Sequence, residues 1–340
     1  MDPRLLQALD QWHLKSPQRL GGDAGARRYF RVEHASLGTA IVVIYPLGPG
    51  GKAPHAYNDF KVLQQYLDPV VLVPTILQDD PEQGILLLED LGDTTLEQRL
   101  MEHPEEEIKW AHQIASMNKN FLGILTEGAP EGVFFMNRSF DITKFEYEWI
   151  YCKKHFFHEF LQAEIPKWLD RILDDVHQSL SQRARFFVHR DFHVRNLMVR
   201  GDRLVCIDFQ DARRGAATYD LASIVFDGYW DWSKESRRVI LQKTQDELGW
   251  SQQDLWEELT LSGIQRNFKA LGTFGYQFLH RKKNQFAPSI LRTLTHCKYH
   301  FERLNLGEGV SLMQRLTRQS ENQLSKLGGL GGDDKTGLAK

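Results

Sequence analysis

The stretch FFVHRDFHVRNLMVRGDRLVCIDFQDA, residues 186–212, decides the fold. Short apolar runs at 186–189, 197–199 and 203–208 read as strands. Between the first two runs stand His189, Arg190 and Asp191, with Asn196 five positions after the aspartate and Asp208 twelve further on. Phosphoryl transfer from ATP needs an acceptor for the substrate hydroxyl proton and hard oxygen ligands for Mg²⁺, all on a rigid hairpin. Asp191 is placed to be the acceptor, and Asn196 and Asp208 to be the metal ligands.

Working outward, Leu5, Leu6, Leu9 and Trp12 recur at helical spacing at the start of the chain. Strand-like runs follow at 27–33, 39–45, 70–77 and 84–91, with a helix patterned by Phe60, Val62, Leu63, Tyr66 and Leu67 between the second and third. Strands dominate up to residue 91 and helices afterwards, so the lobe boundary falls at the Leu91-Gly92-Asp93 turn. Residues 95–182 and 217–325 read as helices, which predicts an α+β protein with a small β-rich N-lobe (1–91) and a large helical C-lobe (92–326). The glycine-rich end, 327–340, reads as a disordered tail. Three scattered cysteines among 340 residues form no CxxC pair, which argues against a disulfide framework or zinc cluster and for the cytosol. A net charge of −3 gives no global pull toward nucleic acid, and no stretch approaches a membrane span. We therefore expect a monomer that meets a small-molecule substrate, without nucleic acid or membrane partners.

A rival reading takes His189, Asp191 and His193 as the ligands of a metallohydrolase, and needs further histidines near strand ends. A blander one makes His189, Asp191 and Asn196 mere caps of a surface loop, which becomes improbable when all three share one spacing between apolar strands.

The pattern resembles the aminoglycoside-phosphotransferase (choline-kinase-like) superfamily, a small-molecule branch of the two-lobed protein-kinase-like fold, over nearly the whole chain. The resemblance implies a hinge at Leu86–Gly92, where the Glu89 carbonyl and Leu91 N–H would meet adenine. It implies that Asp220, in Tyr219-Asp220-Leu221-Ala222, braces the catalytic loop with His189. It also implies a phosphate-covering loop at 21–28, with Gly22, Asp23, Ala24, Gly25, Arg27 and Arg28 as nucleotide contacts. The opening LGGDAGARRYFRV, the hinge LLLEDLGD, HRDFHVRNLM and QRNFKALGTF are similar to bacterial anomeric amino-sugar kinases. That branch uses ATP to phosphorylate N-acetylmuramate and N-acetylglucosamine at C1 during cell-wall recycling.

The chain departs from the family pattern at four places. The third strand, TAIVVIYP (39–46), carries no phosphate-binding lysine; Tyr45 stands near its place, and Asp59 replaces the usual glutamate partner. Arg27, Arg28 and Lys52 are the candidate replacements. Gly25 stands where the branch tends to have serine, and Gln210 replaces the glycine of Asp-Phe-Gly. From Thr260 to Asn305 there are eight Lys/Arg and one acid, a block that suits an anionic substrate better than a polycationic antibiotic. Arg266 and Lys269, one helical turn apart, are the pair expected to line the substrate cleft. The expected activity is an amino-sugar kinase. An aminoglycoside or choline-type kinase is the alternative enzyme, and a pseudokinase-like nucleotide-binding module the alternative of another class.

Overall fold

An unbroken apolar run can be a strand only where both faces are covered, and 40–44, within the strand Gly38–Ile44, is such a run. The computed structural model describes residues 2–21, 27–48, 55–124, 138–183 and 185–329. Its N-terminal lobe holds β1 (Lys15–Arg19), β2 (Arg28–His34), β3 (Gly38–Ile44), β4 (Ile76–Asp80) and β5 (Ile85–Glu89) in one antiparallel sheet, ordered β1-β2-β3-β5-β4. Ala40, Val42 and Ile44 face helix α1 (Pro3–Gln11), where they pack with Leu5 and Ala8. Val43 faces the other way with Leu86 and Leu88, onto helix α2 (His55–Leu67) through Tyr57, Phe60 and Leu63.

The sheet differs from expectation at two points. The run 70–77 is not a strand throughout; only Ile76 and Leu77 of it join β4. Pro74 has no N–H to give a ladder, Val71 and Val73 are buried in the core, and the Leu72 carbonyl accepts from Cys206 N–H in the other lobe. Conversely, Lys-Ser-Pro-Gln-Arg at 15–19 forms edge strand β1, with a register irregularity between Lys15 and Gln18, around Pro17.

The helical lobe follows in the order α3 (Leu96–Glu102), α4 (Glu107–Leu122), α5 (Ile142–Cys152), a π-helical segment (Lys153–Leu161) and α6 (Lys167–Ser181). Then come the short strands β6 (Phe186–Val188), β7 (Leu197–Arg200), β8 (Arg203–Cys206) and β9 (Arg213–Gly215), and helices α7 (Tyr219–Val225), α8 (Lys234–Leu248), α9 (Gln252–Arg281), α10 (Ala287–Arg303) and α11 (Gly307–Lys326). β7 pairs with β8 as a hairpin, while β6 pairs with β9, a strand that the sequence did not announce. The 30-residue α9 is the axis of this lobe, packed on α5, α6, α7, α10 and the π-helical segment. One core cluster runs from Val43 and Leu86 in the sheet through Leu96 and Trp110 to Phe192, Cys206 and Leu221 beneath the β7–β8 hairpin. The hairpin is thereby fixed relative to the sheet. The three cysteines are buried and free. No helix among the described residues is long and apolar enough to cross a membrane, and residues 330–340 of the expected tail lie outside them.

Candidate active site

After β6 the chain enters a loop whose backbone is suspended from two buried carboxylates. Asp220, in the first turn of α7, accepts His189 N–H (2.6 Å) and Arg190 N–H (3.0 Å). Arg190 stands in the left-handed region at φ 83°, a conformation costly for a residue with a Cβ, and the Asp220 bond holds it there. Asp227 accepts Val194 N–H (3.0 Å) and Tyr229 N–H (2.8 Å), fixing the far side of the loop. Burial pushes both carboxyls up to about 7, against the lowering effect of their N–H donors. His189 is fully buried: its Nε2 donates to the Ile207 carbonyl (3.0 Å) and its Nδ1 accepts Asp191 N–H (3.3 Å). Both ring nitrogens are therefore spent on backbone. His189, Asp191 and His193 form no ligand grouping among the described residues, which removes the support for the metallohydrolase reading.

Asn196 closes the loop by donating Nδ2 to the Asp191 carbonyl (2.8 Å), while its own carbonyl accepts Ile207 N–H (3.0 Å). That second bond ties the loop to the segment that carries Asp208. Asp208 follows β8 at φ 64°, and its Oδ1 accepts from Gln210 Nε2 (2.8 Å) and Arg27 Nη2 (3.1 Å). The Gln210 that departs from Asp-Phe-Gly thus holds the aspartate directly.

Asp191, Asn196 and Asp208 line one cleft of about 770 Å³ between the lobes. On the C-lobe side Lys269 Nζ lies 2.7 Å from Asp191 Oδ1, and Arg266 Nη2 lies 3.7 Å from the same oxygen. Burial alone would raise the Asp191 carboxyl, but Lys269, Arg190 and Arg266 hold it well below the usual carboxylate range. Burial lowers Lys269 to about 8, with Asp191 opposing.

On the N-lobe side the structure separates two neighbours. Arg27 lines the cleft and pairs with Asp208, whereas Arg28 turns to the opposite face of the sheet and pairs with Asp2 at the start of α1. Arg28 is therefore not brought to the site. Gly22, Asp23, Ala24, Gly25 and Lys52 lie outside the described residues. Leu91 lines the cleft next to Glu89, whose carboxylate is held by Thr75 N–H (3.0 Å) and Arg200 (2.6 Å). Tyr45 is buried, and Asp59 meets Arg138 rather than a lysine (2.9 Å).

Three contributors had no local signal in the sequence. Asp227 is one. Glu97, from α3, grips Arg195 bidentately (2.6 and 2.8 Å), and the Arg195 guanidinium lies 3.9 Å from the Tyr229 ring centroid in the cleft wall. Glu148, from α5, is buried among Lys144, Arg190 and Gln265. Of the basic block, Arg266 and Lys269 alone line the cleft among the described residues; Arg292 binds the Gly228 carbonyl, Lys298 pairs with Glu302 and Arg303 lies over Trp256.

A sheet-bearing lobe closed over a helical one, with Asp191, Asn196 and Asp208 at the seam, defines a small-molecule phosphotransferase of the protein-kinase-like type. Residues 16–260 match the phosphotransferase enzyme family, and the chain belongs to it. It is similar to N-acetylmuramate/N-acetylglucosamine kinases of Pseudomonas aeruginosa (30% identical, covering 76% of this chain and 75% of the relative) and Neisseria meningitidis serogroup B (27%, covering 81% and 83%). Among solved structures it shares the fold of a choline/ethanolamine kinase family protein from Mesorhizobium loti, with TM-score 0.58, 13% identity and coverage of 92% and 98%. Aminoglycoside phosphotransferase APH(2'')-Ib, ADP-bound, gives TM-score 0.57 at 14% identity over 87% and 98%. The enzyme transfers a phosphoryl group to an alcohol group of a small molecule.

Proposed function

We propose that the protein is an ATP- and Mg²⁺-dependent amino-sugar kinase of the cytoplasm, acting as a monomer on the anomeric hydroxyl of N-acetylmuramate and N-acetylglucosamine in cell-wall recycling. The observation that carries the substrate class is the meeting of Lys269, Arg266 and Arg190 around Asp191 at the acceptor end of the cleft. Cations at that end, themselves neutralised by Asp191, Glu148 and Asp211, offer an acidic sugar hydrogen-bond donors that a polycationic aminoglycoside or a choline ammonium cannot use. The names of the relatives point the same way.

In this reading residues 1–91 hold the nucleotide, with adenine against the Glu89 carbonyl and Leu91 N–H, and residues 92–326 carry catalysis and acceptor. Asp191 orients the acceptor hydroxyl and takes its proton as the new O–P bond forms and ADP departs. The Asp208 carboxylate and the Asn196 Oδ1 left over from its loop bond are hard oxygen donors that fit Mg²⁺. When bound, the ion neutralises phosphate charge. Arg27, already at Asp208, is the candidate cation to stand in for the missing strand lysine.

An ADP-release assay over N-acetylmuramate, N-acetylglucosamine, kanamycin and choline tests the assignment, with phosphorus NMR of the product. The expected product is the sugar 1-phosphate, and the acidic sugar should be preferred. Kanamycin or choline outcompeting both sugars would retain the kinase and overturn the amino-sugar reading.

A further inference from the structure

The two cations beside Asp191 are held in different ways. Arg266 is 8% exposed, and its Nε donates to Ser223 Oγ (3.0 Å) from the middle of α9, so its guanidinium is fixed in place. Lys269 is anchored only at its tip. Among the described residues its ammonium makes one side-chain hydrogen bond, to Asp191 Oδ1, at the end of a flexible four-carbon stem. Two of the three ammonium donors remain for another acceptor.

That contact has a consequence for the base. Oδ1 of Asp191 is covered by the ammonium at 2.7 Å, and Oδ2 faces Arg190 Nε at 3.9 Å. A hydroxyl that is to donate its proton to Oδ1 along the line of the ammonium must take its place, and while the ammonium stays its charge weakens the pull of the carboxylate on that proton. If Lys269 leaves, Arg266 stays at 3.7 Å and Arg190 at 3.9 Å, so the carboxylate keeps two counter-charges and remains ionised.

We propose that Lys269 is a substrate-operated latch: with no acceptor bound it closes Asp191 in an ion pair, and the carboxylate of an anionic acceptor draws it off and opens the base. The proposal rests on the reading of Asp191 as base and goes beyond it by making Lys269 the specificity-determining residue. A neutral sugar does not open the latch and has to react from the minority of molecules in which Lys269 is already displaced.

The experiment uses the full chain and Lys269→Met, with Lys269→Arg and Lys269→Gln as companions, and circular dichroism to establish folding. ATP hydrolysis without sugar should rise several-fold in Lys269→Met and Lys269→Gln, where Asp191 is free to orient water, and stay low in Lys269→Arg. The kcat/KM preference for N-acetylmuramate over N-acetylglucosamine, expected at about ten or more in the native enzyme, should fall toward one in Lys269→Met, through loss on the acidic sugar together with a gain on the neutral one. D-lactate at constant ionic strength, added with N-acetylglucosamine, should stimulate the native enzyme about two- to fivefold and leave Lys269→Met unchanged. Equal loss of kcat on both sugars with no rise in hydrolysis would overturn the latch and make Lys269 a support for Asp191. Lactate that only inhibits would overturn it too. If the native enzyme phosphorylates neither sugar, the amino-sugar reading fails by itself, and the hydrolysis comparison still decides the latch.

Discussion

Asp191 and Asp208 are both carboxylates in one cleft, and their partners give them separate tasks. Asp191 is ringed by Lys269, Arg266 and Arg190, and its proton affinity is set by those cations. Replacing it with asparagine keeps the shape and removes the proton acceptor, so Asp191→Asn should lower kcat by about 10²–10⁴ while ATP affinity changes little. Retention of most of the turnover would take Asp191 out of the chemistry. Asp208 is met by one arginine and one amide, with its side chain 43% exposed to the cleft. Asp208→Ala should weaken Mg·ATP far more than metal-free ATP in calorimetry, and equal weakening of both would show that it holds no metal. The aspartates and Asn196 were legible because their spacing lies within one short stretch. The choice between Arg27 and Arg28 was not legible from composition; strand parity makes it. Arg31↔Ile41 and Tyr29↔Val43 share the face of Arg27, and Phe30 and Val32 that of Arg28.

At the level of elements, α9 can serve as the lobe's axis only because glycine lets its neighbours approach. A Cβ on Gly272 would stand 2.7 Å from the Cys152 Cα of α5, a backbone atom that cannot swing aside. Gly272→Ala therefore sets two effects in opposition. Alanine favours the helix by about 1 kcal/mol, while overpacking costs about 1–3 kcal/mol. We expect net destabilisation, read as a lower urea midpoint with unchanged slope; a higher midpoint would mean that α5 yields without cost. The elements also mark where sequence reading stopped. β1 has no apolar alternation because it is an exposed edge strand containing Pro17, and the 70–77 run is apolar because it is core rather than ladder. Asp227 and Glu148 were hidden for a related reason. Each acts on Val194 or Arg190 from 33 and 42 positions away (227 − 194 and 190 − 148), and no local spacing encodes such a contact.

For the molecule as a whole, the buried titratable groups predict a pH dependence whose sign follows from their count and direction. Burial lowers His177 and His296 to about 4 and His193 to about 3, and holds His189 and His300 below their ordinary value, so the native state resists protonation at these imidazoles. The unprotected chain protonates them near 6.5. Between pH 6.5 and 4, unfolding therefore takes up protons at these sites, and acidification favours the unfolded chain. Asp220 and Asp227 work in the opposite sense. Raised to about 7 by burial, they keep a proton in the native state that the unfolded chain releases above about 4, which favours folding on acidification over the same window. Five lowered imidazoles against the raised carboxyls of Asp220, Asp227 and Glu258 leave a net proton uptake on unfolding, so stability should fall as the pH drops from 6 to 5. Below pH 4 the depressed carboxylates Asp191, Asp90 and Glu148 add to the same loss. Urea denaturation at pH 7.5, 6.5, 5.5 and 5.0 measures it, with a constant slope as the check that the transition stays two-state. A midpoint that climbs toward pH 5 would mean that the two loop-bracing aspartates dominate, and Asp220→Asn and Asp227→Asn should then remove the climb.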